Sequence, residues 1–85
     1  MEMKIKTWVI DREQKTARQY DAYIDYTRRT EDIAKTPLIE DGCYYVRINE
    51  ILQETEKAIK VNLSTGAVVG SYKGWKCWIP KSQIC

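Results

Sequence analysis

Apolar and polar positions alternate through the second half of the chain. Tyr44, Val46 and Ile48 face one way and Tyr45, Arg47 and Asn49 the other, a pattern that continues toward Leu52. Ile59, Val61 and Leu63 alternate with Ala58, Lys60 and Asn62, and Trp75, Cys77 and Ile79 alternate with Lys76 and Trp78 until Pro80. Alternation of this kind predicts half-buried strands, and the proline confines the last one to an edge or an end. Ser64-Thr65-Gly66 has the composition of a turn, and Gly70 and Gly74 bound a further short segment over residues 67–69.

The first half carries two competing periods. Residues 3–10 alternate Met3 and Ile5 with Lys4 and Lys6 and end on apolar Trp8-Val9-Ile10, which predicts a strand. Asp11 with Gln14 three residues later has the form of a capping box, and no Gly or Pro falls between Asp11 and Pro37. Ala17, Tyr20, Ile24 and Thr27 are spaced three, four and three apart, so a helix is expected over about residues 12–33. Tyr20, Ala22, Ile24 and Tyr26 also alternate, so a strand across 19–27 competes with it. The expected fold is α+β in a single domain, residues 1–85: a twisted antiparallel sheet of four to five strands, curled toward a partly open barrel, with one helix packed on it.

Composition narrows the chemistry. The 85 residues include no histidine, the commonest general base and metal ligand, and the three cysteines form no C-x-x-C pair. No catalytic residue, metal site or cofactor is read from the sequence, and a binding protein is expected rather than an enzyme. The odd cysteine count points to free thiols in a reducing compartment, with Cys43 and Cys77 as small buried hydrophobes and Cys85 exposed. With no apolar run of signal-peptide or membrane-span length, the expected location is the cytoplasm, without a membrane partner.

Charge is unevenly placed. All twelve acids lie at or before Glu56 with nine of the basic residues, a net −3, whereas residues 57–85 hold five lysines and no acid. Within that basic part, Tyr72-Lys73-Gly74-Trp75-Lys76-Cys77-Trp78 interleaves aromatics with cations, the composition of a single-stranded nucleic-acid surface. Strand alternation turns Trp75 toward the core and Trp78 to the opposite face beside Lys76. There Trp78 is either an outward stacking platform, or it packs under the helix or closes a small barrel with the lysine stems over its edge. Lys60, Lys73, Lys76, Trp78 and Lys81 are the candidate contacts for nucleic acid. Tyr20, Asp21, Tyr23, Asp25 and Tyr26 are the candidate protein interface, since tyrosine favours binding hot spots and the acidic half can engage a basic channel.

Two stretches carry a resemblance. Glu54-Thr55-Glu56-Lys57-Ala58 and Trp78-Ile79-Pro80-Lys81-Ser82-Gln83 resemble the E-T-x-K-A … W-x-P-K-S-Q signature of small proteins of phages and mobile elements. The resemblance covers about residues 44–84, with Ser64–Gly74 as an insertion between the two halves. It implies a curled β unit and a counter-defence role of the anti-CRISPR kind. The implied partner is a host defence nuclease or its ribonucleoprotein complex, bound directly in the host cell.

Overall fold

The computed structural model describes residues 1–67 and 74–85. In chain order the elements are β1 (Glu2–Lys6), α1 (Thr7–Ala17), β2 (Ala22–Ile24), β3 (Ile39–Glu40), β4 (Cys43–Glu54), β5 (Ala58–Leu63), β6 (Thr65–Ala67) and β7 (Trp75–Pro80). The fold is α+β, one helix on a five-stranded antiparallel sheet. The strands run β1-β4-β5-β7, with β3 added against the start of β4, and β2 pairs with β6 in a small second sheet. No helix among the described residues is long and apolar enough to cross a membrane.

The sheet is not closed into a barrel. Among the described residues its two ends meet at an antiparallel bridge between Ile5 and Ile84, where the Cys85 N–H donates to the Lys4 carbonyl at 2.8 Å. A disulfide between Cys43 and Cys85 fastens the same tail. This corrects the expectation of three free thiols. The tail runs along β1 opposite β4, and that brings the terminal cysteine to the first residue of β4. Cys77 is the free, buried cysteine, as expected.

The first half departs most from expectation. The strand ends at Lys6, and Trp8, Val9 and Ile10 belong to α1, so the helix begins earlier than Asp11 and ends well before residue 33. Val9 and Ile10 are fully buried beneath the sheet. The capping box is not used: no side chain caps the helix, and Asp11 instead accepts the Tyr44 hydroxyl at 2.9 Å. A 3₁₀ turn (Arg18–Tyr20) follows and stops at Asp21, whose φ of 57° is left-handed. Aspartate tolerates that region better than most residues. Beyond it the competing alternation prevails over Ala22–Ile24, where Ala22 and Ile24 face inward and Tyr23 outward.

Gln14 fixes this arrangement. Its amide donates to the Ala22 carbonyl at 3.0 Å and accepts the Ile24 N–H at 2.7 Å, so one side chain pairs with β2 as a neighbouring strand would. The expected turn at Ser64–Gly66 is instead the crossing into β6, whose Thr65 and Gly66 pair with Ile24 and Tyr23. The expected segment over 67–69 overlaps β6 only at Ala67; the rest lies outside the described residues.

The core is formed by Ile5, Val9, Ile10, Ile24, Val46, Ile48, Ile59, Val61, Leu63, Cys77 and Ile79, bordered by Met3, Tyr26, Tyr44, Trp75 and Ile84. Trp75 packs against this core, and its indole N–H donates to Glu13 of α1 at 3.0 Å, whereas Trp78 is 40% exposed. Gly74 enters β7 at φ +109°, and a Cβ there would stand 2.3 Å from the Asn62 side-chain oxygen.

Two stability results follow from this packing. Trp75→Ala is expected to cost about 3 kcal/mol in urea denaturation and Trp78→Ala less than about 1 kcal/mol. Equal costs would contradict the assignment of faces. Gly74→Ala is expected to cost roughly 1–3 kcal/mol, from the backbone conformation and the collision with Asn62 together. In the background of Asn62→Ala the loss shrinks, because only the backbone part remains. A double-mutant cycle showing no coupling between the two positions would refute the collision.

Candidate functional site

The outer face of β4, β5 and β7 is set by register. Lys60 pairs with Gln53 on one side and Trp78 on the other, and Asn62 pairs with Glu50 and Lys76. Paired residues in a sheet share a face, so Gln53, Lys60 and Trp78 form one row across three strands. Lys76 stands diagonal to Lys60, about 7–8 Å away at the backbone. Among the described residues neither Lys60 nor Lys76 has a carboxylate within ion-pair distance.

The other two candidate lysines fare differently. Lys81 donates to Glu54 at 2.7 Å and gives its backbone N–H to the Lys57 carbonyl at 2.8 Å. Lys73 lies outside the described residues. Three of the five sequence-derived nucleic-acid contacts therefore share one face, and Lys81 is tied to the hairpin beside it.

The signature residues form a clamp. Glu54 holds Lys81, and the Thr55 hydroxyl accepts the Ala58 N–H and donates to the Ala58 carbonyl, both at 3.1 Å, closing the β4–β5 hairpin. Gln83 accepts the Trp8 indole N–H at 2.9 Å and so fixes the exit from β7 to α1. Most of the motif is thus accounted for by the join between hairpin and tail. Trp78 is the large exposed residue that this clamp leaves over.

The proposed protein interface is divided. Tyr20 is 58% exposed but lies with its ring 5.7 Å from Trp75. Asp21 occupies the left-handed stop after the 3₁₀ turn. Tyr23 points outward over an open hollow of about 360 Å³ shared with Ile24, Asp25, Arg29, Thr65 and Gly66. Asp25 is engaged by Arg47 at 3.0 Å and by the Ser64 hydroxyl at 3.4 Å. Tyr26 turns inward, bridged to Val46, with its ring 5.0 Å from Tyr44, and burial pushes its hydroxyl pKa up to about 12. Tyr20, Tyr23 and Asp25 therefore do not form one surface with Tyr26.

A second charged assembly was not evident from the sequence. The Tyr45 ring lies beneath both Lys4 Nζ, at 5.5 Å, and the Arg28 guanidinium, at 4.1 Å. The Tyr45 hydroxyl and then Lys4 hold Glu40 below the usual carboxylate range, Lys4 does the same for Asp41, and Thr27 followed by Arg28 does so for Glu2. No spacing rule reveals this group, because its members come from β1, β3, β4 and the segment after β2. Gln53 was missed for another reason. Register shifts at Asn49 and Leu52 break the alternation of β4 before that residue is reached.

No family model, curated protein or solved structure matches this chain.

The buried hydroxyl and thiol give a pH dependence with a definite sign. Burial raises the Cys77 pKa from about 9 to about 12 and the Tyr26 pKa from about 10 to about 12. Both groups are neutral when folded and ionise more readily when unfolded. Their contribution is complete below about pH 9 and is lost as pH rises toward about 12. Tyr26→Phe and Cys77→Ala should each flatten the alkaline fall in urea-unfolding free energy. An unchanged slope in both would place those groups in water.

Proposed function

We propose that this chain is a non-catalytic binding module whose outer β4–β5–β7 face takes single-stranded nucleic acid. The observation that carries the reading is the placement of Trp78, 40% exposed, in register with Lys60 and diagonal to Lys76. An indole face accepts a base of any sequence, and flanking ammonium groups neutralise phosphates on either side of it. Gln53 completes the row with an amide that can bond a base edge. The acid-free composition of residues 57–85 favours the same ligand.

A labelled single strand followed by fluorescence anisotropy tests this. Two lysine contacts give a log–log salt slope of about −1.4, and the double variant Lys60→Ala/Lys76→Ala should bring it close to zero. Trp78→Ala should weaken binding by roughly 5- to 150-fold while leaving the slope in place. Undetectable binding at low salt, or Trp78→Ala binding as tightly as the parent, would end this reading.

One observation favours a second reading, in which the chain inhibits a host defence nuclease by direct protein contact. Tyr23 and Arg29 border an open hollow on the β2–β6 side, and Tyr20 is largely exposed. Together with the phage-type signature this supports a counter-defence protein of the anti-CRISPR kind. Affinity capture from a host lysate, with and without nuclease treatment, separates the two. A nuclease-resistant protein complex lost in Tyr23→Ala but kept in Trp78→Ala would favour inhibition. The reverse pattern would favour nucleic acid.

A further inference from the structure

The C-terminal tail is held by far fewer backbone bonds than β1 or β7. β1 is secured to β4 over Glu2–Lys6, and β7 to β5 over Trp75–Pro80. Residues 84 and 85 instead cross the gap between β7 and β1 with one bridge to Ile5 and one backbone hydrogen bond to Lys4, plus the covalent bond to Cys43. A segment with so few backbone bonds opens at low free energy unless a covalent tie holds it.

We propose that Cys43–Cys85 is a redox-operated clasp: oxidised, it fastens residues 84 and 85 across the gap; reduced, it releases them while the β1-β4-β5-β7 sheet stays folded. The two sulfurs suit the two states. Cys85 is exposed, whereas Cys43 is fully buried. A thiolate of a small dithiol attacks Cys85 Sγ. The Cys43–Cys85 bond breaks, Cys43 leaves as a thiolate and takes up a proton, and the second reductant thiol then displaces Cys85 as the reductant becomes a disulfide. The Asp41 carbonyl oxygen lies 3.6 Å from Cys43 Sγ, so the new thiol has an acceptor and the reduced core keeps no orphaned donor.

Release is local because the neighbouring anchors do not pass through the tail. Lys81 remains bound to Glu54 and Lys57, and β1 keeps its ladder with β4. What is lost is the cover that Ile84 gives to Ile5 and the fixed position of Gln83 under the Trp8 indole.

Native-state hydrogen exchange and intact-mass measurement on the full chain, with and without a small dithiol, test the clasp. Expected are a gain of two hydrogens on reduction and rapid alkylation at Cys85, with Cys77 protected. The Cys85 amide should exchange roughly tenfold faster or more, while amides of β4, β5 and β7 keep their protection. The melting temperature should fall by about 10–20 °C with the transition still cooperative, since the closed loop spans 42 residues of separation. Cys85→Ser should reproduce the reduced state without reductant. Three alkylatable thiols in the air-oxidised protein would overturn the proposal. Unchanged tail exchange on reduction would do so too, as would loss of protection throughout the sheet or failure of Cys85→Ser to fold.

Discussion

Twelve residues of β4 present two rows of backbone donors and acceptors, and the way these rows are shared places β1, β3 and β5. One row takes β1 over Cys43–Arg47, and then Met1, which exchanges hydrogen bonds with Ile48. The other is divided among three segments in succession: β3 at its start, the bridge to Tyr26 in its middle, and β5 beyond Ile48. Buried backbone groups must be paired, so the path of residues 25–40 is dictated by the part of β4 that β5 leaves free. The small sheet follows from the same constraint. The Asp25 N–H donates to the Ser64 carbonyl, Ser64 donates to Arg47 and Arg47 donates back to the Asp25 carbonyl, and the chain on either side of that three-way junction becomes β2 and β6.

The helix is bound to this framework by polar contacts as much as by apolar ones. Val9 and Ile10 supply the buried surface, while Glu13 and Gln14 on the same side reach Trp75 and β2. A domain this small has little core to spare, and each of these side chains both satisfies a backbone or indole group and locates an element. The outer β4–β5–β7 face and the disulfide-bonded tail belong to the same run of contacts. β7 connects them, carrying Trp78 at one point and leading into the residues that close on β1 at the other.

How much of this was legible in the sequence depends on where polar residues sit. β5 and β7 obey strict alternation, so their strands and the opposite facings of Trp75 and Trp78 could be read directly. The helix could not, because Glu13 and Gln14 occupy its inward side and erase the apolar stripe that periodicity seeks. In its place the coincidental spacing of Ala17, Tyr20, Ile24 and Thr27 suggested a helix where the chain in fact turns and enters β2. The pairing of Cys43 with Cys85 has no local signature at all; it depends on a tail position that only the closed topology defines. Of the candidate site, Lys60, Lys76 and Trp78 were visible as a composition, but Glu54's hold on Lys81 needed the hairpin to be folded.

The two register shifts in β4 also bear on how this chain can change length. Asn49 and Leu52 are each an extra residue facing no partner on β5, whereas their neighbours are matched one to one. Removing either residue would leave every remaining pair opposite its present partner and every side chain on its present face. Removing Ile51 or Gln53 has the same effect on register, because Leu52 moves into the vacated place and Glu54 stays opposite Ile59; only the side chain on that face changes. Single-residue deletions are therefore absorbed anywhere along residues 49–53 of β4, and divergent versions of this strand should differ in length there first.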